Sequence, residues 1–206
     1  MPKVRERLDS REPFVREVDD GGLLTWLPQF FTPEEAADLF ATLKGGIAWK
    51  QEHGRFGRPF PRLTALYGDA HAVYTYSGTA YKALPWTEEL VAVRHRVEQA
   101  AAAPFNSVLL NCYRDAQDSM GFHADDEPEL GTNPIVPSIS LGASRRFVLR
   151  HNQSRKTLEM DLTHGSLLIM AGTLQHHWQH ALPKVSVAAG ERINLTFRQL
   201  RVVSVE

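Results

Sequence analysis

The sequence predicts an α+β fold: a double-stranded β-helix, or jelly-roll, core with flanking N-terminal helices. Three observations lead there. Helical periodicity is confined to two stretches in the first half, short strand-like runs follow one another at regular spacing from Ser107 onward, and no internal repeat divides the 206 residues. A chain of this length can bury a sizeable core as one domain. In order along the chain, residues 1–22 are highly charged and read as a polar N-terminal arm, leaving 23–206 as a single domain. Leu23–Trp26 is a first short strand. A helix follows from Pro33 to about Lys44, with Thr32 as N-cap, Pro33 at the first helical position and Glu35 completing a capping box; Gly45 and Gly46 stop it. From Trp49 to Arg62, glycines and prolines interleave with Arg55, Phe56, Arg58 and Phe60, the pattern of a loop or irregular hairpin.

A second helix is expected from about Thr87 to Ala102, where Leu90, Val93 and Val97 recur at helical spacing and acidic residues fill the first turn. The strands then run Ser107–Arg114, Pro137–Gly142, Arg146–His151, Thr157–Leu162, Ser166–Met170, Trp178–Leu182 and Arg192–Arg198. So many short strands separated by turn residues make a sandwich or barrel, and a jelly-roll with two helices outside is the simplest arrangement.

Composition narrows the function classes. With 23 basic and 24 acidic residues, total charge calls for neither nucleic acid nor membrane, so any nucleic-acid surface must be local. The single cysteine, Cys112, allows no internal disulfide and fits a reducing compartment. No apolar run reaches the length of a membrane span, and the charged N-terminus suggests no secretion. The expectation is a soluble, intracellular, cytoplasmic protein, nuclear in a eukaryote, with no membrane and no obligate protein partner.

The chemistry lies between Asn111 and Arg198. His123-x-Asp125 and His180 offer two imidazoles and one carboxylate, a facial ligand set that leaves positions on a ferrous ion open for a chelating co-substrate and molecular oxygen. Arg192-Ile193-Asn194-Leu195-Thr196-Phe197-Arg198 alternates polar and apolar, so both arginines face one way. A guanidinium fork binds carboxylate through paired hydrogen bonds, and two of them near an open iron site imply a dicarboxylate such as 2-oxoglutarate. Asn111 and Tyr113 share a face, with Leu110 and Cys112 turned to the core, and the same period of two puts His123 and Asp125 together. A lone His-x-Asp is weak evidence; the ordered set is strong. His176 has the parity of His180 in an extended segment and is the alternative third ligand.

These residues resemble the AlkB-type Fe(II)/2-oxoglutarate dioxygenases that repair alkylated nucleic acid. The similarity rests on Asn111-x-Tyr113, Gly121-Phe122-His123-x-Asp125-Asp126-Glu127, Ser138-x-Ser140-x-Gly142, the surroundings of Arg146 and Phe147, His164-Gly165-Ser166-Leu167-Leu168, Trp178-x-His180 and the run from Arg192 to Arg198. Pro61-Arg62, Tyr67-Gly68-Asp69 and Tyr74-Thr75-Tyr76-Ser77-Gly78 look like the nucleotide-recognition region of the duplex-acting members, about residues 49–82 here. The resemblance implies His123, Asp125 and His180 as metal ligands, with His180 preferred over His176. It implies Asn111, Tyr113, Arg192, Asn194, Thr196 and Arg198 around 2-oxoglutarate, and Arg62, Tyr74, Tyr76, Asp126 and Glu127 around the substrate. Alkylated DNA, or RNA, is the implied partner. The implied reaction is oxidative demethylation of 1-methyladenine or 3-methylcytosine, releasing formaldehyde as 2-oxoglutarate is decarboxylated to succinate. Such bases carry positive charge, which aromatic faces and carboxylates favour, and must leave their stack to react.

Plainer readings stand beside these. Asp126 is equally a solvated surface carboxylate, and Tyr74 and Tyr76 are equally strand aromatics. Arg145-Arg146, Arg150-His151 and Arg155-Lys156 form the densest basic stretch, suited to phosphates or to keeping hairpin edges soluble. The sequence also departs from the duplex-acting pattern. Only Phe56 suits an apolar wedge in Gln51–Phe56, and Lys184–Ala189 has one lysine where those members have a basic loop, so strand preference stays open. A dioxygenase acting on a small molecule or protein side chain is the alternative; the intact ligand and arginine sets argue against a non-catalytic module.

Overall fold

The computed structural model describes residues 4–54, 57–70, 72–76 and 79–201, with backbone only for 73–76 and 79–81. Its elements run β1 (Arg5–Arg7), β2 (Phe14–Val18), β3 (Gly22–Leu27), α1 (Pro33–Gly46), β4 (Leu63–Gly68), β5 (Val73–Tyr76), β6 (Thr79–Lys82), α2 (Glu88–Ala101) and β7 (Ser107–Tyr113). They continue β8 (Met120–His123), β9 (Val136–Gly142), β10 (Arg145–His151), β11 (Thr157–Leu162), β12 (Ser166–Gly172), α3 (Leu174–His177), β13 (Trp178–Leu182) and β14 (Arg192–Arg198). No helix among the described residues is long and apolar enough to cross a membrane.

Two sheets face each other, a seven-stranded one ordered β2-β3-β12-β9-β14-β7-β4 and a five-stranded one ordered β1-β11-β10-β13-β8; β5 and β6 form a separate hairpin. Neighbours are mostly far apart in sequence, with β14 lying between β7 and β9 and β12 between β3 and β9, as a jelly-roll requires.

The two faces of the larger sheet do different work. Outward, Ile193, Leu195 and Phe197 join Leu110, Cys112, Ile139 and Leu141 against Leu43 of α1 and Leu90, Val93 and Val97 of α2. Inward, Trp26, Leu168 and Met170 meet Leu149, Leu158, Met160 and Trp178 between the sheets. The polar side chains of β14 therefore point into the sandwich, where an apolar layer would otherwise continue. Burying so many polar groups is costly unless they are paired or serve a ligand, which marks this end of the sandwich as a site.

α1 begins as its sequence dictates. Thr32 Oγ1 accepts from the Glu35 amide at 3.2 Å, and Glu35 Oε2 accepts from the Thr32 amide at 2.9 Å. It continues through both glycines to Gly46, because packing of Leu43 and Ile47 outweighs their weak helix propensity. α2 is capped by Thr87, whose Oγ1 accepts from the Leu90 amide at 3.3 Å. At the end of β9, Gly142 has φ +88°, and a Cβ there would overlap the carbonyl oxygen of Glu191, so only glycine allows β14 this close.

Two further expectations are corrected. Residues before Gly22 are not a polar arm: β1 pairs in parallel with β11, and β2 pairs antiparallel with β3. Both are edge strands with charged, exposed faces, and edges carry charge to block further pairing, so their composition hides them. Asp125 is not on a strand with His123, because β8 ends at His123 and Asp125 lies in the loop beyond it. The described parts of the segment from Trp49 to Arg62, 49–54 and 57–62, are irregular, held by single bridges between Lys50 and Thr64 and between His53 and Pro59.

Candidate active site

β8 and β13 bring the two histidines together, since His180 and His123 are opposite each other in the ladder and their rings lie 4.2 Å apart. Asp125 reaches them from its loop, and one ligand atom from each of His123, Asp125 and His180 lies within 4.8 Å of the others. The loop is fixed from two sides. The Asp125 amide donates to Gln175 Oε1 of α3 at 2.9 Å, and Arg198 Nη2 donates to Asp125 Oδ1 at 2.6 Å. His123 Nδ1 donates to the Gly121 carbonyl at 2.9 Å, which leaves Nε2 with its lone pair for a metal.

Protonation suits metal binding. Burial pushes the His180 imidazolium down to about 3, helped by the neighbouring His123 and opposed by Asp125. Burial also lowers His123. For Asp125, burial acts to raise the carboxyl, but Arg198 and both histidines together hold it well below the usual carboxylate range. At neutral pH the site thus holds two neutral imidazoles and one carboxylate, the ligand form of each.

Beyond this trio the cavity is lined by the inward residues of β7 and β14: Asn111, Tyr113, Arg192, Asn194, Thr196 and Arg198. Arg192 Nη2 donates to Ser140 Oγ at 2.8 Å, and its guanidinium carbon lies 5.2 Å from the Tyr113 ring. Burial lowers Arg192 to about 10, opposed by Tyr113, so it stays charged at neutral pH. Its Nε is buried with no hydrogen-bond partner among the described residues, a donor that a bound carboxylate would satisfy. Asn194 donates to Ser138 Oγ at 2.8 Å and accepts from Thr196 Oγ1 at 3.0 Å, closing a polar network around this wall. Phe147, Leu162, Met170 and Leu182 supply the apolar remainder. The donor set fits ferrous iron, and the buried cationic wall fits a dicarboxylate.

The other candidates fall differently. His176 is in α3, not on a strand, and its Nε2 bonds Asn133 Oδ1 at 2.9 Å, away from the trio. Arg62 is buried with Nε donating to Asn111 Oδ1 at 2.8 Å, between this cavity and a neighbouring cleft lined by Lys50, Glu52, Phe60 and Leu84. Asp126 is exposed, Glu127 half-buried, and neither lines the cavity. The side chains of Tyr74 and Tyr76, and all of Phe56, lie outside the described residues. Arg145 is structural: buried, it donates to the carbonyls of Asp115, Asp118 and Pro183. Sequence reasoning gave no role to Ser138, Ser140 or Gln175. The Ser-x-Ser alternation facing Asn194 was a usable signal for the first two, whereas nothing local marks Gln175.

A double-stranded β-helix carrying two histidines, one carboxylate and buried arginines defines a ferrous-iron oxygenase with a 2-oxoacid co-substrate and molecular oxygen. A family profile described as the 2OG-Fe(II) oxygenase superfamily matches residues 23–198. The chain is 37% identical over 207 residues to the DNA oxidative demethylase ALKBH2 of Mus musculus, covering 93% of this chain and 86% of that protein. The Bos taurus ALKBH2 is 38% identical, with 82% of this chain and 66% of that protein covered. The alpha-ketoglutarate-dependent dioxygenase alkB homolog 3 of Rattus norvegicus is 39% identical, with 83% and 62% covered. A solved structure described as that of OsALKBH1 superposes with a TM-score of 0.66 at 19% identity, over 90% of this chain and 99% of that one, a likeness of fold. The chain belongs to the AlkB family of the 2OG-Fe(II) oxygenase superfamily.

Proposed function

We propose that the protein oxidatively demethylates bases such as 1-methyladenine and 3-methylcytosine in DNA. The observation that carries this reading is the convergence of His123, Asp125 and His180 beside a buried arginine wall in a chain similar over most of its length to DNA oxidative demethylases. Bound iron, 2-oxoglutarate and oxygen supply the oxidising power that hydroxylates the methyl carbon, after which formaldehyde leaves. The protein's part is to hold and orient. His123 and His180 offer neutral nitrogens, and Asp125 is kept ionised and aimed by Arg198 and Gln175. Arg192, backed by Ser140 and Tyr113, would hold a carboxylate of the co-substrate, with Asn111, Asn194 and Thr196 completing the pocket. The apolar wall of Phe147, Leu162 and Met170 excludes water from the reacting atoms.

For the base, Arg62, Tyr74, Tyr76, Asp126 and Glu127 are the proposed contacts. Aromatic faces and carboxylates favour a cationic methylated base over its neutral parent, and methylation that spoils pairing lowers the cost of flipping. The test is formaldehyde release from matched single-stranded and duplex oligonucleotides carrying either lesion, with ferrous iron and 2-oxoglutarate omitted in turn. Release that needs both supports the reading; consumption of 2-oxoglutarate without release moves the search to another substrate.

A further inference from the structure

We propose that the outer face of the five-stranded sheet is a docking groove for the single-stranded DNA flanking the reacting base, with Phe122 as a base-stacking shelf at its mouth and arginines along its length reading phosphates. This rests on the proposed demethylation and extends it to the polymer on either side of the lesion.

Phe122 directly precedes His123 on β8, so the period of two turns one side chain out of the sandwich and the other into the cavity. β8 is the edge of its sheet, and no strand among the described residues lies beyond it. A polynucleotide crossing that edge can place one base inside and a neighbour outside. Phe122 is 38% exposed, unusual for a phenylalanine in a strand, and the Arg150 guanidinium carbon lies 3.7 Å from its ring centroid. A guanidinium laid on an aromatic ring forms a platform on which any unpaired base can stack.

From this shelf a groove of about 440 Å³ runs across the sheet past Arg146, Val148, Arg150, Arg155 and Arg5. Its charge does not reflect composition, since the whole chain carries a net charge of -1. Among the described residues Glu159 is the one acidic group lining the groove, pairing with Arg5 at 2.5 Å and standing 3.8 Å from Arg146. Arg150 and Arg155 make no ion pair among the described residues, and Arg150 is instead oriented by Gln179 Oε1 at 3.1 Å. Oriented guanidinium groups beside an exposed aromatic in a concave face match a phosphodiester chain with splayed bases. A charge that only kept this sheet soluble would not need to lie against a ring, as that of Arg150 does. Single strands are favoured over duplex because a base must be unpaired and unstacked to reach the shelf.

The test measures anisotropy of a fluorescein-labelled, unmodified single-stranded DNA oligonucleotide titrated with the full chain, without iron or turnover. Phe122→Ala is expected to weaken binding about tenfold, and Phe122→Trp to keep it. The double variant Arg150→Ala/Arg155→Ala is expected to flatten the dependence of log affinity on log salt by about 1.4, from roughly 0.7 per phosphate contact. Should Phe122→Ala fail to fold, the arginine variant carries the test, because it leaves the sheet's core side untouched. Wild-type affinity and salt slope in the folded variants would overturn the groove, as would tighter binding of the matching duplex. Formaldehyde release from methylated mononucleotides, too short to span the groove, reads the active site separately. Release from either methylated substrate, mononucleotide or oligonucleotide, with variant-insensitive oligonucleotide binding defeats the groove alone; no release from methylated oligonucleotides as well defeats the proposed reaction and leaves the binding measurement standing.

Discussion

Replacing Arg198 by lysine keeps the charge and removes the fork. In the structure this guanidinium is almost fully buried and donates to Asp125 Oδ1 at 2.6 Å, on the cavity wall where the co-substrate's carboxylates are proposed to lie. An arginine can hold the ligand carboxylate and a co-substrate oxygen with different nitrogens, whereas one ammonium must choose. The nearer, buried Asp125 takes precedence, so the co-substrate loses one charge-assisted hydrogen bond, about 1.5–3 kcal/mol. At about 1.4 kcal/mol per tenfold, the 2-oxoglutarate Kd rises by roughly ten- to 150-fold. The assay is isothermal titration of 2-oxoglutarate into protein loaded with Mn(II), which fills the metal site without turnover. A Kd within twofold of wild type would refute this reasoning and remove Arg198 from the co-substrate pocket. Arg198→Met is the harsher companion: an uncompensated buried carboxylate costs about 3–5 kcal/mol of stability, and added divalent metal restores part of it by neutralising Asp125.

Three further outcomes are expected. His180→Ala abolishes metal binding while His176→Ala keeps most of it, because His176 is turned to Asn133; equilibrium dialysis with Fe(II) under anaerobic conditions checks both, and the reverse ranking would exchange the ligands. Acid weakens the metal-free protein in a defined window. His180 is lowered in the folded state, so the unfolded chain binds the proton first, and stability is lost as pH falls from the ordinary histidine range toward about 3. The loss between pH 7 and pH 5 is about 2 kcal/mol at 1.36 kcal/mol per unit, read by urea melts, and His180→Phe should remove most of that slope. Thr32→Ala costs about 1 kcal/mol by opening the capping box at the start of α1, measured in the same melts.

What the sequence disclosed follows the strength of its periodicities. The seven alternating residues of β14 announced both a strand and which side chains share the site, and the observed bounds are those predicted. β11 and β13 were equally legible. The Thr-Pro-x-Glu start of α1 was readable because capping is local. β1, β2 and β8 were not, since strands of three to five residues at sheet edges owe their conformation to a partner distant in sequence. The parity argument reached a correct neighbourhood for Asp125 by a wrong route: a loop pinned by Gln175 and Arg198, not strand alternation, carries it to the histidines. His176 looked equivalent to His180 only while the segment was imagined as extended; the short helix α3 removes it. The basic stretch of β10 and the turn after it was visible in the sequence, but its division into structural Arg145 and groove-lining Arg150 needed three dimensions.

The most direct measurement of the central claim is the ratio of succinate to formaldehyde formed with a 3-methylcytosine oligonucleotide, for wild type and for His180→Ala. An iron site at His123, Asp125 and His180 that oxidises the methylated base predicts equimolar products, both requiring added ferrous iron and both lost in His180→Ala. Succinate without formaldehyde from wild type, or equal product from His180→Ala, would contradict it.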